Sequence, residues 1–336
     1  MILRVGIVGT GYAAKKRAEA VVSGVPSSPS GAVRSHLVAI AGQPDRAQAL
    51  AQSHGAEAID SWQRLVNDDR IDLVIVATVN ADHGKVVQAA LTANCHVVVE
   101  YPLALDVDQA LSLAQLATER QRLLHVEHIE LLGGLHQAVR QHLSAIGQPL
   151  QAHYTTLAPK SPAPHKWSYR HDLNGFPLMS ALSRVSRLVD LFGTVDSVTC
   201  QSQFDPSTPP YYQACRCDAR LQFTSGVSAE LVYGKGDRPW SRTRRLEVIG
   251  TQGRLIFDQD RGQLTTQQAN RPISVMPRSG LFLKDTRQVI DHLLAGAPLY
   301  RPLDHSLYAL RVADALRRSS ETGQRQTLLP AQTSSL

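Results

Sequence analysis

Apolar and polar positions are arranged in alternating blocks along the first 127 residues. Residues 3–8 (LRVGIV) form an apolar run that breaks into Gly9-Thr10-Gly11-Tyr12-Ala13-Ala14 and continues as a helical pattern to about Val22. Residues 23–35 are rich in Ser, Pro and Gly and read as a surface loop. A second strand is predicted over His36–Ala41 and a helix from Asp45 to His54. Residues 71–77 (IDLVIVA) make a nearly continuous apolar run, as a parallel strand covered on both faces requires. A helix near 82–93, a strand over His96–Glu100, a helix over 106–120 and a strand over Leu123–Glu127 follow. Strand and helix alternate throughout, which is the pattern of an α/β, doubly wound parallel sheet.

After about residue 126 the period changes. A helix is predicted over 130–145, and a Pro-rich loop from Pro159 to Pro164 leads to Trp167-Ser168-Tyr169. A further helix is predicted over 177–192. Alternating stretches then occupy 196–204, 216–223, 227–233, 244–249 and 253–257, separated by turn signals such as Ser225-Gly226 and Gln252-Gly253. They predict a large, mostly antiparallel sheet. Helices near 282–295 and 304–319 close the pattern, and the polar tail 320–336 is expected to fray. The expected organisation is an N-terminal domain over 1–125 and an α+β domain over 126–336.

Composition narrows the class. With 336 residues, 43% hydrophobic and 19% charged, the chain is long enough for two cores and too apolar for wholesale disorder. No apolar run approaches the roughly 18–20 residues of a membrane span. The first residues enter a strand at once, so no signal peptide is expected. Cys95, Cys200, Cys215 and Cys217 are too few and scattered for a disulfide framework, and Cys215-x-Cys217 has no second pair at zinc spacing. His125 and His128 lack a companion ligand, so no metal site is expected. The expectation is a reduced, cytoplasmic protein.

Charge adds a direction. The chain carries a net +6, but residues 1–125 are net −1 and residues 126–336 net +7, and Arg outnumbers Lys 28 to 7. The densest cluster, Arg242-x-Arg244-Arg245, is short, and aromatics make up only 5%. That disfavours a nucleic-acid partner, which draws on longer basic runs with interleaved aromatics. The two readings left are an acidic small-molecule substrate and solvated surface arginines.

Gly9-x-Gly11-x-x-Ala14 sits between a predicted strand and a predicted helix, the context of the Rossmann dinucleotide fingerprint. The first Gly makes the turn, the second admits the pyrophosphate, and the helix N-terminus offers N–H groups to it. Gly9, Thr10, Gly11, Tyr12 and Ala13 are therefore assigned to the cofactor. At the end of the second strand, Gly42 stands where NAD-preferring chains place an acid. Its lack of charge removes repulsion against a 2′-phosphate, and Arg46, or a basic residue of Lys15-Lys16-Arg17, is the candidate partner for that phosphate. NADP, with NADPH preferred over NADH, is the expected cofactor. Thr78-x-Asn80-x-x-His83 and Glu100-Tyr101-Pro102 follow the C-terminal edges of two strands, where ligands bind in open α/β sheets. Asn80 and His83 are placed against the nicotinamide ribose or carboxamide.

This layout resembles the glucose–fructose oxidoreductase / inositol dehydrogenase (Gfo/Idh/MocA) family, in which a Glu-Lys-Pro segment stands where this chain has Glu100-Tyr101-Pro102. Leu124 to Leu132, Trp167-Ser168-Tyr169, Gly175-Phe176-Pro177-Leu178, Ala181 to Arg187, Asp190 to Gly193 and Tyr233-Gly234-Lys235-Gly236 are similar to segments of the biliverdin reductases, the cyanobacterial type in particular. The resemblance implies reduction of biliverdin, a dianionic tetrapyrrole, by hydride delivery to its central methine with protonation of a pyrrole nitrogen. Sugar and cyclitol dehydrogenases of the wider family place an Asp and a proton-accepting His where this chain has Ser183 and Arg187. Arg does not serve as a neutral base near neutral pH, but it binds carboxylates and stabilises developing negative charge. Arg184 and Arg187, three apart on one helix face, are the catalytic and substrate-binding candidates; pairing with Asp190 or Asp172 is their structural alternative. Tyr101 is a third candidate donor, with packing against the nicotinamide as its alternative. His125, His128 and Trp167 complete the expected substrate contacts, and His128 and Glu130 equally suit a buried pair. Two rivals stand beside this reading: an oxidoreductase of the same fold acting on a sugar acid or cyclitol, and a non-catalytic dinucleotide-binding sensor.

Overall fold

A computed structural model describes residues 2–23 and 34–328. The chain forms two compact units, one holding the described residues up to Ile129 together with Gly280–Leu307, the other holding Glu130–Ser279 and the described residues from Tyr308 onward.

In the first unit β1 (Leu3–Val8), β2 (Ser35–Ala41), β3 (Glu57–Ile59), β4 (Leu73–Val76), β5 (His96–Val99) and β6 (Leu124–Val126) form one parallel sheet. Its order, β3-β2-β1-β4-β5-β6, is the Rossmann arrangement. All four residues of β4 are buried, as its apolar run predicts. The helices are α1 (Tyr12–Val22), α2 (Pro44–His54), α3 (Trp62–Val66), α4 (Asn80–Thr92) and α5 (Val107–Glu119). Local chemistry sets their ends. Gln43 caps α2 by accepting from the Arg46 amide, Pro44 opens the helix, and Gly55 closes it at φ 65°. Asp106 caps α5 through the Gln109 amide.

The second unit is built on a nine-stranded mixed sheet. Its strands are β7 (Pro149–Pro159), β8 (Val195–Pro206), β9 (Tyr212–Phe223), β10 (Ser228–Gly236), β11 (Thr243–Gly250), β12 (Gly253–Asp258), β13 (Arg261–Thr266), β14 (Asn270–Ser274) and β15 (Gln326–Thr327). The order is β14-β13-β12-β11-β7-β10-β9-β8-β15, antiparallel except where β10 pairs with β7. Helices α6 (Gly134–His142), α7 (His171–Asn174), α8 (Pro177–Ser180) and α9 (Leu182–Phe192) precede or interrupt these strands. Two helices follow β14: α10 (Leu281–Ala295) packs on α1 in the first unit, and α11 (Leu303–Thr322) runs from the first unit into the second.

The structure departs from the sequence expectations at several elements. The helix expected over 130–145 divides into a 3-10 turn at Ile129–Leu131, α6, and a second 3-10 turn at Leu143–Ile146. Gly134 opens α6 because a Cβ there would lie 2.2 Å from the Met276 carbonyl oxygen. The helix expected over 177–192 breaks at Ala181 into α8 and α9. Elements β3, α3, β7, β13 and β14 were not expected. The tail does not fray at residue 320: α11 continues to Thr322, β15 pairs with β8, and the Leu328 amide donates to the Asp196 carbonyl. Residues 329–336, and residues 24–33 of the expected loop, lie outside the described residues.

Candidate active site

The fingerprint turn has the geometry that an approaching pyrophosphate needs. Gly9 adopts φ 132°, where a Cβ would lie 2.2 Å from the Ala77 carbonyl oxygen, so only glycine makes this turn against β4. A Cβ on Gly11 would meet nothing within 4 Å, and α1 begins there with no side chain capping its amides. The first amides of that helix are left for an anion. Ala14 is fully buried, as close packing of helix on strand demands. Thr10 borders Gly42, whose Cβ would meet the Thr10 methyl at 2.7 Å. Tyr12 is 72% exposed, its ring edge-on to Phe282. Ala13 is partly buried against the core of this unit. Arg46 is exposed, with Gly42 exposed four residues before it.

Arg17 has a different place from the one the sequence suggested. It falls in the buried stripe Ala14, Arg17, Ala18, Val21 of α1 and is wholly enclosed. Its Nε donates to Glu100 Oε1 at 2.9 Å, and its Nη1 donates to Asp285 Oδ2 and, at 3.0 Å, to Thr286 Oγ1. Buried and divided between two carboxylates, it is no candidate for a 2′-phosphate. Of its neighbours, Lys16 pairs with Glu19 on the surface and Lys15 is exposed.

Asp285 is the hub of this polar core. Besides Arg17 it accepts from Tyr300 Oη at 2.8 Å and contacts His125 Nε2 at 2.9 Å. Burial opposes its charge, but Arg17 and His125 outweigh that and hold the carboxyl well below the usual range. Glu100 lies in the same core with the opposite outcome: burial pushes it up, and Arg17 compensates only in part.

The two segments that follow β4 and β5 are tied together through His83. Its Nδ1 lies 2.7 Å from the Pro102 carbonyl and its Nε2 3.3 Å from that of Thr78. Burial holds the imidazole below its usual value, so the neutral ring donates Nδ1–H to Pro102. His83 is 1% exposed and Asn80 5%, so both face inward and His83 serves to join these segments. The Tyr101–Pro102 bond is cis, and the Tyr101 ring stacks on His128 at 6.0 Å.

His125 and His128, expected at the substrate, are both enclosed in the first unit. His128 Nε2 lies 2.9 Å from Ser306 Oγ, its amide donates to Tyr300 Oη at 2.8 Å, and burial beside His305 and His125 holds the ring well below its usual value. It is a neutral packing residue, and Glu130 is not its partner.

Glu130 is instead the centre of the second unit's charge. Arg187 Nη2 donates to Glu130 Oε2 and to the Glu130 carbonyl, both at 3.2 Å. Arg244 Nη2 donates to Oε2 at 3.0 Å, and Arg278 Nη2 donates to Oε1. Burial alone would raise this carboxyl, but Arg187, Arg278, Arg244 and Arg184 push it down to about 2. Arg187 is 1% exposed; its Nη1 donates to Tyr154 Oη, and its Nε is buried with no partner among the described residues. Burial raises the Tyr154 phenol, and Arg187 with Arg184 outweighs this, leaving it below its usual value. Arg184 is more accessible: its Nη1 donates to Ser183 Oγ at 2.9 Å, and its guanidinium sits over the Tyr233 ring at 5.6 Å. The alternative partners for the two arginines are engaged elsewhere, Asp190 with His136 and Arg140, Asp172 with Arg170.

Trp167 is 38% exposed and starts a 3-10 turn through Tyr169. Lys235 fixes that turn from beneath. Its Nζ donates to the Ser168 carbonyl and lies over the rings of Tyr169 and Tyr212, and burial holds it below its usual value. Among the described residues no group of three or more His, Cys, Asp or Glu is arranged to hold a metal ion. None of their helices is long and apolar enough to cross a membrane.

Sequence reasoning missed Glu130 as a hub, along with Arg244, Arg278, Tyr154 and Asp285. Two signals were present. Arg244 lies two residues before Leu246 on an alternating strand, and Asp285 falls between Leu281 and Val289 in the buried stripe of α10.

Comparison with known proteins fits this geometry. Over residues 3–128 the chain matches an oxidoreductase family with an NAD-binding Rossmann fold, and over 141–328 that family's C-terminal alpha/beta domain. Among solved structures it is similar to biliverdin reductase from Synechocystis sp. PCC 6803 in complex with biliverdin and NADP+. The identity is 48% and the TM-score 0.90, over 95% of this chain and 99% of that one. It is 32% identical over 126 residues to the Escherichia coli (strain K12) oxidoreductase YdgJ, covering 38% of this chain and 34% of that protein. It is 30% identical over 139 residues to Mus musculus biliverdin reductase A, covering 41% and 44% respectively. The chain thus spans less than half the length of these two curated relatives. The two family segments together take in most of the sequence, and the chain belongs to the Gfo/Idh/MocA oxidoreductase family.

Proposed function

We propose that this chain is an NADPH-dependent reductase of biliverdin. The observation that carries the reading is the arginine cluster of the second unit, where, by the family resemblance, Arg187 takes the position of a proton-accepting histidine. A guanidinium there suits a substrate that accepts a hydride and carries carboxylates, and it does not suit abstraction of an alcohol proton. The 48% identity to a structure bound to biliverdin and NADP+ supports the same substrate and cofactor.

The residues at the first unit's glycine turn fit a dinucleotide. Gly9, Thr10, Gly11, Tyr12 and Ala13 would hold its pyrophosphate, and Thr78, Asn80 and Glu100 would flank its nicotinamide. Gly42 leaves room and Arg46 supplies charge for a 2′-phosphate. When bound, the reduced nicotinamide supplies the hydride that the central methine receives.

Arg184, the more accessible of the helix pair, donates hydrogen bonds to the pigment and stabilises charge developing on its pyrroles as the methine is reduced. Arg187 supports it from behind, held by Glu130 and Tyr154. The proton that completes reduction reaches a pyrrole nitrogen from Tyr101 Oη or from a water ordered by Arg184.

Mixing the protein with biliverdin and NADPH tests this directly. The blue-green pigment is expected to turn yellow, and folded protein that leaves the colour unchanged across a range of pH overturns the reading. Arg184→Ala is expected to lower kcat about 100-fold, the scale of losing one transition-state donor. Turnover within about threefold of the parent removes Arg184 from the chemistry.

A further inference from the structure

The charge around Glu130 is unbalanced. Four guanidinium groups, those of Arg184, Arg187, Arg244 and Arg278, act on one carboxylate. Both oxygens of that carboxylate accept from arginines, Oε2 from Arg187 and Arg244 and Oε1 from Arg278. With four guanidinium groups to one carboxylate, the cluster retains positive charge and N–H donors beyond those that Glu130 engages.

Its members differ in what they are free to do. Arg187 is enclosed and bound at both terminal nitrogens. Arg244 and Glu130 are 15% and 13% exposed, whereas Arg278 is 53% exposed. Arg278 reaches Glu130 from the segment between β14 and α10, and Arg244 reaches it from the buried face of β11. A half-exposed ion pair contributes little to stability, so a need for folding does not account for Arg278. A guanidinium of this kind, oriented by a fixed carboxylate and open on its other side, is built to take a second carboxylate.

We propose that Arg244 and Arg278, oriented by Glu130, form a carboxylate-binding subsite and act as specificity-determining residues for a diacid substrate. This rests on the function proposed above and goes beyond it by separating recognition from chemistry. Arg244 and Arg278 select the substrate's propionate, while Arg184 and Arg187 act where hydride arrives.

The experiment compares biliverdin with its dimethyl ester, using parent enzyme, Arg278→Gln and Arg244→Gln. Both variants are expected to raise KM for the diacid about tenfold while kcat stays within about twofold, because one charge-assisted contact is lost in ground and transition state alike. For the ester, KM is expected to be equal in parent and variants. Arg278→Lys is expected to recover part of the diacid affinity, because it restores the charge without the fork. Equal effects on diacid and ester, or none on the diacid, overturn the subsite. Absorbance titration of the diacid reads the same tenfold ratio without turnover. A parent that binds but does not reduce biliverdin thus overturns the function while the subsite is still measured, and a parent that does not bind the diacid overturns both.

Discussion

The two units carry buried charge in opposite stoichiometry. In the first, one arginine is shared between two carboxylates: Arg17 bonds both Glu100 and Asp285, and His125, Tyr300 and Thr286 close the network. In the second, one carboxylate is shared among three arginines, with a fourth close by. The first arrangement is buried at its centre, with carboxylates in excess of guanidinium and Arg17 Nη2 without a partner among the described residues, and it draws on residues far apart in sequence, from α1, the residue after β5, β6, α10 and Tyr300. It works as a scaffold that fixes the segment after β5 against the fingerprint helix. The second has its excess in positive charge and is partly open to solvent. A surplus of one sign at a partly open site is a property of a receptor, because a ligand of the other sign completes it. One fold thus uses the same residue types for a buried network in one unit and, on the proposed reading, for recognition in the other.

The sharpest way to break this comparison is at Arg17. Replacing it by Met keeps most of the volume and leaves Glu100 and Asp285 buried without their cation. Loss of one partner of a buried pair costs about 3–5 kcal/mol, because the remaining charge is uncompensated. Arg17→Lys should fall between parent and Met, since one ammonium does not reproduce the fork that reaches Glu100 and Asp285 together. Denaturant unfolding measures both variants. A loss below about 1 kcal/mol for Arg17→Met would show that the network is not the scaffold described.

Glu130 comes next, and its effect has a pH signature. Its carboxyl lies at about 2 in the fold against an ordinary value of 4.5. A group depressed in the folded state adds stability above its unfolded value and loses it as pH falls through the folded one. The gain, on the order of 3 kcal/mol, is therefore present above about pH 4.5 and gone near pH 2. Glu130→Gln should be less stable than the parent near neutrality, with the difference closing over that acid window. It should also lower kcat, since Arg187 loses its anchor. A stability difference that is constant from pH 6 to pH 2 would mean that packing, and not charge, is what Glu130 contributes.

Both hubs escaped the sequence reading, although the sheet that carries the first did not. The first sheet was legible nearly strand for strand, because its central strands are apolar on both faces and its glycine turn carries its own chemistry. Strand β7 was not. Its buried positions are Ala152, Tyr154 and Thr156, with His153 and Thr155 between them, so inward and outward residues hardly differ in polarity. Strands β13 and β14 bury only Leu264 and Ile273, too little for a pattern at a sheet edge. Arg187 was found because it displaces an expected histidine, and Arg184 because it shares its helix face, whereas Glu130, Arg244 and Arg278 converge from three distant elements. Arg17 was within reach: an arginine inside the stripe Ala14, Ala18, Val21 announces a buried partner, and its placement beside two lysines disguised that as a surface cluster.

The smallest expected effect lies at Arg46, where the comparison extends to a charge in water. Among the described residues Arg46 pairs with no acid, and both it and Gly42 are exposed. An arginine in that setting contributes to binding a 2′-phosphate through a contact that solvent and salt weaken. Arg46→Ala should raise KM for NADPH about five- to tenfold and leave KM for NADH unchanged, since only the former carries the phosphate. The ratio should shrink as ionic strength rises, because the screening length falls to about 8 Å near physiological salt. Stability should not move. If NADH suffers equally, Arg46 supports the adenosine end through α2, where its amide already completes the Gln43 cap, and phosphate selection rests on the uncharged Gly42 alone.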